Sequence, residues 1–344
     1  MRVLVTGGAG YIGCWAVKKL LDSGATPVVL DKCFFPAGVK YVQSLGVPII
    51  EADIRDYKLS EAPEFDAIIH LAGLSNDPSC NYSKIGNDEM NRVGTERLCE
   101  QAAEVGCERF IFASSASVYG FNDVPKLDET APLNVQSFYA EGKARAEEAV
   151  MKYAKDIGGI VLRQATVMGW SPRHRNDLVV NIMTLHGIEK GRITVNAGGE
   201  NTRPLVHVED LAEVYIRMLE APAKDVCGQV FNVNHRRQDG TIFEGYTIAS
   251  LALWIRHLLE SNYGIKAEVV GNWDGTEGRS YDMTSRKLRR VLDWEPMRGV
   301  SAAVDSIMAH RTELKSYDQV NIEWMKALEH GQKVTQNTGG VFTN

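Results

Sequence analysis

The stretch Val3-Leu4-Val5-Thr6-Gly7-Gly8-Ala9-Gly10-Tyr11-Ile12-Gly13, followed by Cys14-Trp15-Ala16-Val17-Lys18-Lys19-Leu20-Leu21, decides how the rest of the chain is read. Val3, Leu4 and Val5 are a short apolar run of the kind that forms a buried parallel strand. The residues behind Gly13 repeat with the period of a helix packed on a sheet. The glycines therefore sit at a strand-to-helix turn. Their spacing, Gly7-x-x-Gly10-x-x-Gly13, differs by one residue from the G-x-G-x-x-G fingerprint but serves the same physics: a tight turn, close approach of backbone to a pyrophosphate, and close helix-to-strand packing. The pyrophosphate then rests on free N–H groups at the positive end of the helix. Glycines also serve ordinary tight turns, so context has to decide. Val28-Val29-Leu30-Asp31 reads as the next strand and ends in an acid about 20 residues beyond the glycines, where a carboxylate accepts hydrogen bonds from an adenosine ribose. Asp31 repels a 2′-phosphate and no Arg follows it immediately, which favours NAD over NADP; Lys32 argues the other way.

The chain has 344 residues, 44% hydrophobic and 24% charged, which is the composition of a soluble globular protein with core for one large or two ordinary domains. A formal net charge of −6 gives no general attraction to nucleic acid or an anionic membrane, so an anionic ligand must be held by local donors. Met1 leads straight into the first strand and no apolar run approaches membrane-spanning length; the expectation is a cytoplasmic protein without a signal peptide. Cys14, Cys33, Cys80, Cys99, Cys107 and Cys227 show no paired C-x-x-C spacing. They read as reduced thiols, several of them core residues, and not as a zinc site or a disulfide frame.

Beyond Asp31 the pattern predicts a helix over 39–45, a third strand over 47–50, and a fourth strand starting at Ala67 and running through His70, Leu71 and Ala72 to a small-residue turn at Gly73. Two readings stand for Asp53 beside Ile54: a cap on adenine, or a helix cap. His70 reads as a structural histidine. A long amphipathic helix is expected over 85–105 with Val93, Leu98 and Ala102 on its apolar side, then a fifth strand over 109–113 ending in Ser114-Ser115-Ala116-Ser117. Four βα units in this space point to an α/β fold, a doubly wound parallel Rossmann sheet, whose right-handed crossovers gather the loops at Gly7, Asp31, Asp53, Gly73 and Ser115 on one edge. A sixth strand over 160–163 is followed by Gln164-Ala165-Thr166.

From Met168 the elements shorten and Gly and Pro increase. The expected division is a cofactor domain over 1–168, with 207–235 returning to it, a smaller C-terminal α/β substrate domain over 169–334, and a loose tail over 335–344. The second part includes the polar loop from Trp170 to Asn176, helices over 178–189, 247–260, 285–292 and 301–311, and a strand over 193–196, while the helix over 211–219 and the strand over 230–232 make the return.

Tyr139 and Lys143 are four residues apart in a helical pattern, which puts both on one face. A Tyr is a poor base at neutral pH, its ordinary pKa being ~10. A neighbouring ammonium stabilises the phenolate, and a Ser at a nearby strand end, Ser115, can hydrogen-bond the hydroxyl that loses its proton. Tyr-x-x-x-Lys also occurs by chance as a surface pair; the Ser-ended strand and the glycine turn reverse that preference.

With these motifs in order, TGGAGYIG at 6–13, Asp31, Asp53-Ile54, HLAG at 70–73, NRVGT at 91–95, SSASVYG at 114–120, Tyr139/Lys143 and RPLVHVEDLA at 203–212, the sequence resembles the extended short-chain dehydrogenase/reductase family in its NAD-dependent nucleotide-sugar epimerase/dehydratase branch. The resemblance covers roughly residues 1–310 and implies Tyr139 as acid/base, Lys143 tuning it and Ser115 supporting the sugar oxygen. For the cofactor, NAD, it implies Gly7, Gly10, Tyr11, Ile12, Gly13, Asp31, Lys32, Asp53, Ile54, Leu71, Ala72, Gly73, Asn91, Ser114, Tyr139, Lys143 and Gln164. For a nucleotide-diphosphate sugar it implies Ser75, Ser115, Ser117, Thr166, Asn176, Arg203 and Arg279, the two arginines gripping the diphosphate. Thr166 stands where many relatives have Asn. A homodimer built on the two long helices of the first domain is likewise implied by the resemblance.

Dehydratases of this branch carry an Asp-Glu pair where this chain has Ala116-Ser117, related decarboxylases usually carry Glu at the place of Ser117, and some reductases and 3,5-epimerases carry Cys there. What remains is NAD, Tyr, Lys and Ser, a kit for reversible oxidation of one carbinol. The expectation is a UDP-sugar 4-epimerase passing through a 4-keto sugar. The alternatives are an NAD(P)-dependent reductase or dehydrogenase of a nucleotide-linked keto sugar, and a non-catalytic NAD-binding regulatory protein.

Overall fold

A computed structural model describes residues 1–122, 126–235, 246–271 and 280–314, together with residues 321, 323, 325 and 326. Strands β1 (Arg2–Thr6), β2 (Thr26–Asp31), β3 (Ile49–Glu51), β4 (Ala67–His70), β5 (Arg109–Ser115) and β6 (Gly159–Gln164) join the later strand Gln229–Val233 in one seven-stranded sheet. Its order is Gln229–Val233, β6, β5, β4, β1, β2, β3, and every neighbouring pair is parallel. The order reverses between β4 and β2, on either side of β1. That reversal opens a crevice at the carboxyl ends of the strands, where open α/β sheets take their ligands.

Both faces of the sheet are covered. Successive side chains of a strand point to opposite faces, so Val3 and Val5 pack in one apolar cluster and Leu4 in another; Ile69 and Ile111 likewise face away from Ile68, Phe110 and Phe112. All of these are essentially inaccessible, each contributing roughly 1.5–3 kcal/mol by leaving water. His70 is held between Thr6 Oγ1 (2.7 Å) and Thr95 Oγ1 (2.9 Å), the structural role expected of it.

The helix expected over 85–105 is broken. Asp77–Tyr82 and Lys84–Asn87 precede a π-helical turn, Asp88–Val93, and a regular helix, Gly94–Glu104. The wider turn inserts a residue and shifts the apolar face. Val93 consequently faces out, 42% exposed, while Leu98 and Ala102 stay buried as expected. Other boundaries move by a few residues: the second helix is Pro36–Ser44, and the third strand is confined to Ile49–Glu51.

Beyond β6 a third apolar cluster forms among the helices Val179–Lys190, Ile248–Tyr263 and Val300–Ala309, with the parallel pair Arg192–Val195 and Glu268–Gly271. The helix Val208–Glu220 contacts the helix Tyr11–Asp22, and the strand Gln229–Val233 pairs with β6, so the chain comes back to the first sheet over this stretch. The tail over 335–344 lies outside the described residues. The six cysteines are free. Among the described residues no helix is long and apolar enough to cross a membrane, and no group of His, Cys, Asp and Glu is arranged to hold a metal.

Candidate active site

Gly7 follows β1 with φ of +71°, and its N–H donates to Leu30 O (2.8 Å). A Cβ there would stand 2.7 Å from Ala72 N, so the turn after β1 and the loop after β4 meet backbone to backbone. A Cβ on Gly13 would lie 2.3 Å from Gly7 O, which is why the helix Tyr11–Asp22 can start so close under the turn. That helix has no side-chain cap and no acid in its first turn, leaving its N-terminal N–H groups for another acceptor. Asp31, at the end of β2, is fixed by Ala9 N on Oδ2 (3.0 Å) and Cys33 N on Oδ1 (2.8 Å). Burial raises its pKa, and these two amides oppose the rise.

Asp53 caps no helix and lines the cleft beside Ile54. Arg55 closes on it through its own N–H (3.0 Å), Nε (3.0 Å) and Nη2 (2.8 Å), and Lys32 Nζ lies 3.5 Å away. The Arg55 hydrogen bonds, working against desolvation, hold the carboxyl down to about 2.

At the other end of the crevice, Ser137 caps the helix Phe138–Lys152 by accepting from Ala140 N (3.2 Å) and so presents Tyr139 in the first turn and Lys143 in the second. Tyr139 lines the cleft together with Ser115, the last residue of β5. Ser115 Oγ also accepts from Ser117 N (3.2 Å) and Ser117 Oγ (3.0 Å). With both lone pairs engaged, the Ser115 hydroxyl proton is left for an acceptor in the cleft. Burial pushes Tyr139 up to about 12, with the neighbouring Ser115 side chain and the nearby Arg175 charge opposing the rise. The expected help from Lys143 is not what the cofactor-free chain displays. Its Nζ donates to Ala113 O (2.9 Å) and lies 4.9 Å over the Phe112 ring, and burial pulls it down to about 8.

Both ends open into one cleft of about 600 Å³. Among its walls are Gly7, Gly10, Tyr11, Ile12, Gly13, Asp31, Lys32, Asp53, Ile54, Leu71, Ala72, Gly73, Ser75, Ser115, Ser117, Tyr139, Lys143, Gln164, Thr166 and Arg203, all named from sequence. Three expected residues do not line it. Ser114 points to the opposite face of β5 from Ser115 and donates to Glu147. Asn91 sits behind Gly73, its amide donating to Leu74 O (2.9 Å) and Asn87 Oδ1 (2.7 Å). Asn176 is buried in its loop, 3% exposed. Arg279 lies outside the described residues. Arg203 donates to Thr202 O (2.8 Å), its guanidinium 5.6 Å from the Tyr281 ring.

Sequence reading missed Phe35, Arg173, Arg175, Tyr281, Asn321 and Met325, all of which line the cleft. Arg175 grips Asp177 through Nε (2.9 Å) and Nη2 (2.8 Å) and donates from Nη1 to Ser75 Oγ (3.2 Å). No local period signalled the two arginines, which stand in the irregular loop between β6 and the helix Val179–Lys190. Nothing in the local pattern around Asn321 pointed to the cleft.

A crevice at the switch point of a parallel sheet, with a bare glycine turn at one end and a Ser–Tyr–Lys group at the other, defines the doubly wound nucleotide-cofactor class. The sequence pattern of the NAD dependent epimerase/dehydratase family matches residues 3–234, and the chain belongs to that family. It is 30% identical over 305 residues to UDP-glucuronic acid decarboxylase 1 of Xenopus tropicalis, covering 86% of this chain and 68% of that protein. The fold is similar to that of UDP-glucuronic acid 4-epimerase from Bacillus cereus, solved with UDP-glucuronic acid and NAD, with a TM-score of 0.79 at 23% identity over 91% of this chain and 100% of that one. UDP-glucose 4-epimerase from Thermotoga maritima, solved with UDP-glucose, gives a TM-score of 0.78 at 25% identity over 92% and 100% of the two chains.

Proposed function

We propose that this chain is an NAD-dependent 4-epimerase of a UDP-sugar. The observation that carries the reading is that Ser115, Tyr139 and Lys143 line one cleft with the glycine turn. The fit to a dinucleotide rests on the uncapped helix start at Gly10, the backbone-to-backbone packing of Gly7 and Gly13, and the Asp31 carboxylate at the end of β2. In this reading residues 1–168 with 207–235 hold the cofactor, and 169–334 supply most of the sugar side.

Bound NAD supplies a reversible hydride acceptor and a positive charge beside the phenol. Tyr139, as phenolate, takes the proton of the sugar 4-hydroxyl and later returns it. Ser115 steadies the oxygen on which that proton travels. Loss of proton and hydride turns the carbinol into a 4-keto sugar, and restoration from the opposite face inverts C4 with no net oxidation. Gln164, its Oε1 held by Tyr215 OH (3.1 Å), and Thr166 wall the reacting end.

The relatives named as decarboxylases favour a second reading, loss of carbon dioxide from a UDP-uronic acid. Against it stands Ser117, which binds Ser115 at the position where the resemblance places Glu in decarboxylases. Mass spectrometry of the purified protein with UDP-glucose, UDP-galactose and UDP-glucuronic acid, with no cofactor added, separates these. An isobaric, chromatographically distinct product supports 4-epimerisation. Loss of carbon dioxide or water, or a loss of two hydrogens with stoichiometric formation of NADH once NAD is added, overturns it.

A further inference from the structure

Four residues from distant parts of the chain form a line across the cleft. Phe35, in the loop after β2, lies under the Arg173 guanidinium at 3.7 Å from its ring centre. Arg173, 3% exposed, donates from Nη2 to Asn321 Oδ1, and Asn321 Nδ2 donates to Ser75 Oγ (2.9 Å) in the loop after β4. In the sheet, β4 and β2 flank β1. The line Phe35–Arg173–Asn321–Ser75 therefore passes over the glycine turn at the end of β1. Met325, four residues after Asn321 and helical like it, lines the same cleft. Glu323 does not line it and pairs instead with Lys326 (3.0 Å).

We propose that Asn321 and Met325 belong to a strap closed over the middle of the dinucleotide, with Asn321 as its latch, so that the cofactor is released only when the latch opens. The inference rests on the reading above that the cleft holds a dinucleotide. It extends that reading by assigning retention of the cofactor to a segment beyond the matched family region. The latch suits an epimerase, which needs the same cofactor for both halves of its reaction, and does not suit an enzyme that exchanges cofactor every turnover. The Asn321 side chain has the chemistry of a latch. Its amide donates to one lip and its carbonyl accepts from the other, so no residue with a single hydrogen-bonding function replaces it.

The proposal is tested by the dissociation rate of NADH from the full-length protein, read by fluorescence after a chase with excess NAD, together with the fraction of NAD that co-purifies. Asn321→Ala is expected to release NADH about ten-fold faster, because one of its two hydrogen bonds is to a charged group. Met325→Ala is expected to act in the same direction, and Glu323→Gln to match the parent. Ser75→Ala removes the other end of the latch, so Asn321→Ala and Ser75→Ala should be non-additive on the release rate. Unchanged thermal unfolding of the variants keeps the readout on the latch. Release within two-fold of the parent in both Asn321→Ala and Met325→Ala overturns the strap while leaving the epimerase reading intact. A parent protein that binds neither NAD nor NADH overturns both.

Discussion

Glu147 and Arg163 face each other as a buried two-pronged ion pair. Arg163 Nη2 lies 2.8 Å from Glu147 Oε2, Nε lies 3.1 Å from both oxygens, and the two side chains are 6% and 8% exposed. Ser114 donates to the same carboxylate and Tyr119 OH lies 3.0 Å from Arg163 Nη1. Glu147 is one helical turn beyond Lys143, so the pair fastens the helix carrying Tyr139 and Lys143 to β5 and β6. Removing one partner leaves the other charge buried and unmatched. Glu147→Ala should therefore cost about 3–5 kcal/mol in urea unfolding. A loss under about 1 kcal/mol would mean that the pair does not anchor the helix.

Tyr139→Phe removes the only atom proposed to carry the sugar proton. The turnover rate should fall by about 10²–10⁴-fold, with NAD still bound, because the ring keeps its place in the wall. In the cofactor-free protein the difference in phenolate absorbance between parent and variant should appear only toward pH 12, where burial has pushed this group. A Tyr139 signal already present at pH 9 would contradict the burial of its phenol.

Gly13→Ala places a methyl group 2.3 Å from Gly7 O and 2.6 Å from Gly8 Cα, both backbone atoms that cannot swing aside. The helix must move off the turn, at about 1–3 kcal/mol. The measurable outcome is at least a ten-fold weaker affinity for NAD in calorimetry. Undiminished affinity would remove the glycine turn from the cofactor site.

Acid sensitivity should come from buried neutral histidines. Burial lowers His70, His174 and His207 from the ordinary 6.5 to about 3. Between these values the unfolded chain binds protons that the folded chain refuses, so stability falls as pH falls from about 6.5 toward 3. Each such group costs about 2 kcal/mol at pH 5. Urea unfolding at pH 7.5 and pH 5 should show a loss that shrinks by that amount in His70→Gln. An identical loss in parent and variant would show that His70 accepts its proton without unfolding.

The amino-acid sequence by itself determined the strand–turn–helix at residues 2–22, the parallel sheet, the acid at Asp31 and the pairing of Tyr139 with Lys143 on one helix face. Each is written in a local period or in a spacing of a few residues, and local spacing survives whatever packs around it. Only the tertiary structure decided which polar groups reach the cleft. Ser115 faces it and Ser114 does not, because neighbours on a strand point to opposite faces of the sheet. Val93 turns outward because a π turn shifts the helix face, and the period alone carries no sign of the extra residue. Arg173 and Arg175 enter through a loop with no period, and Asn321 meets Ser75 from 246 positions away. Such meetings depend on how whole elements dock, and that is a property of the packed chain and of no segment within it.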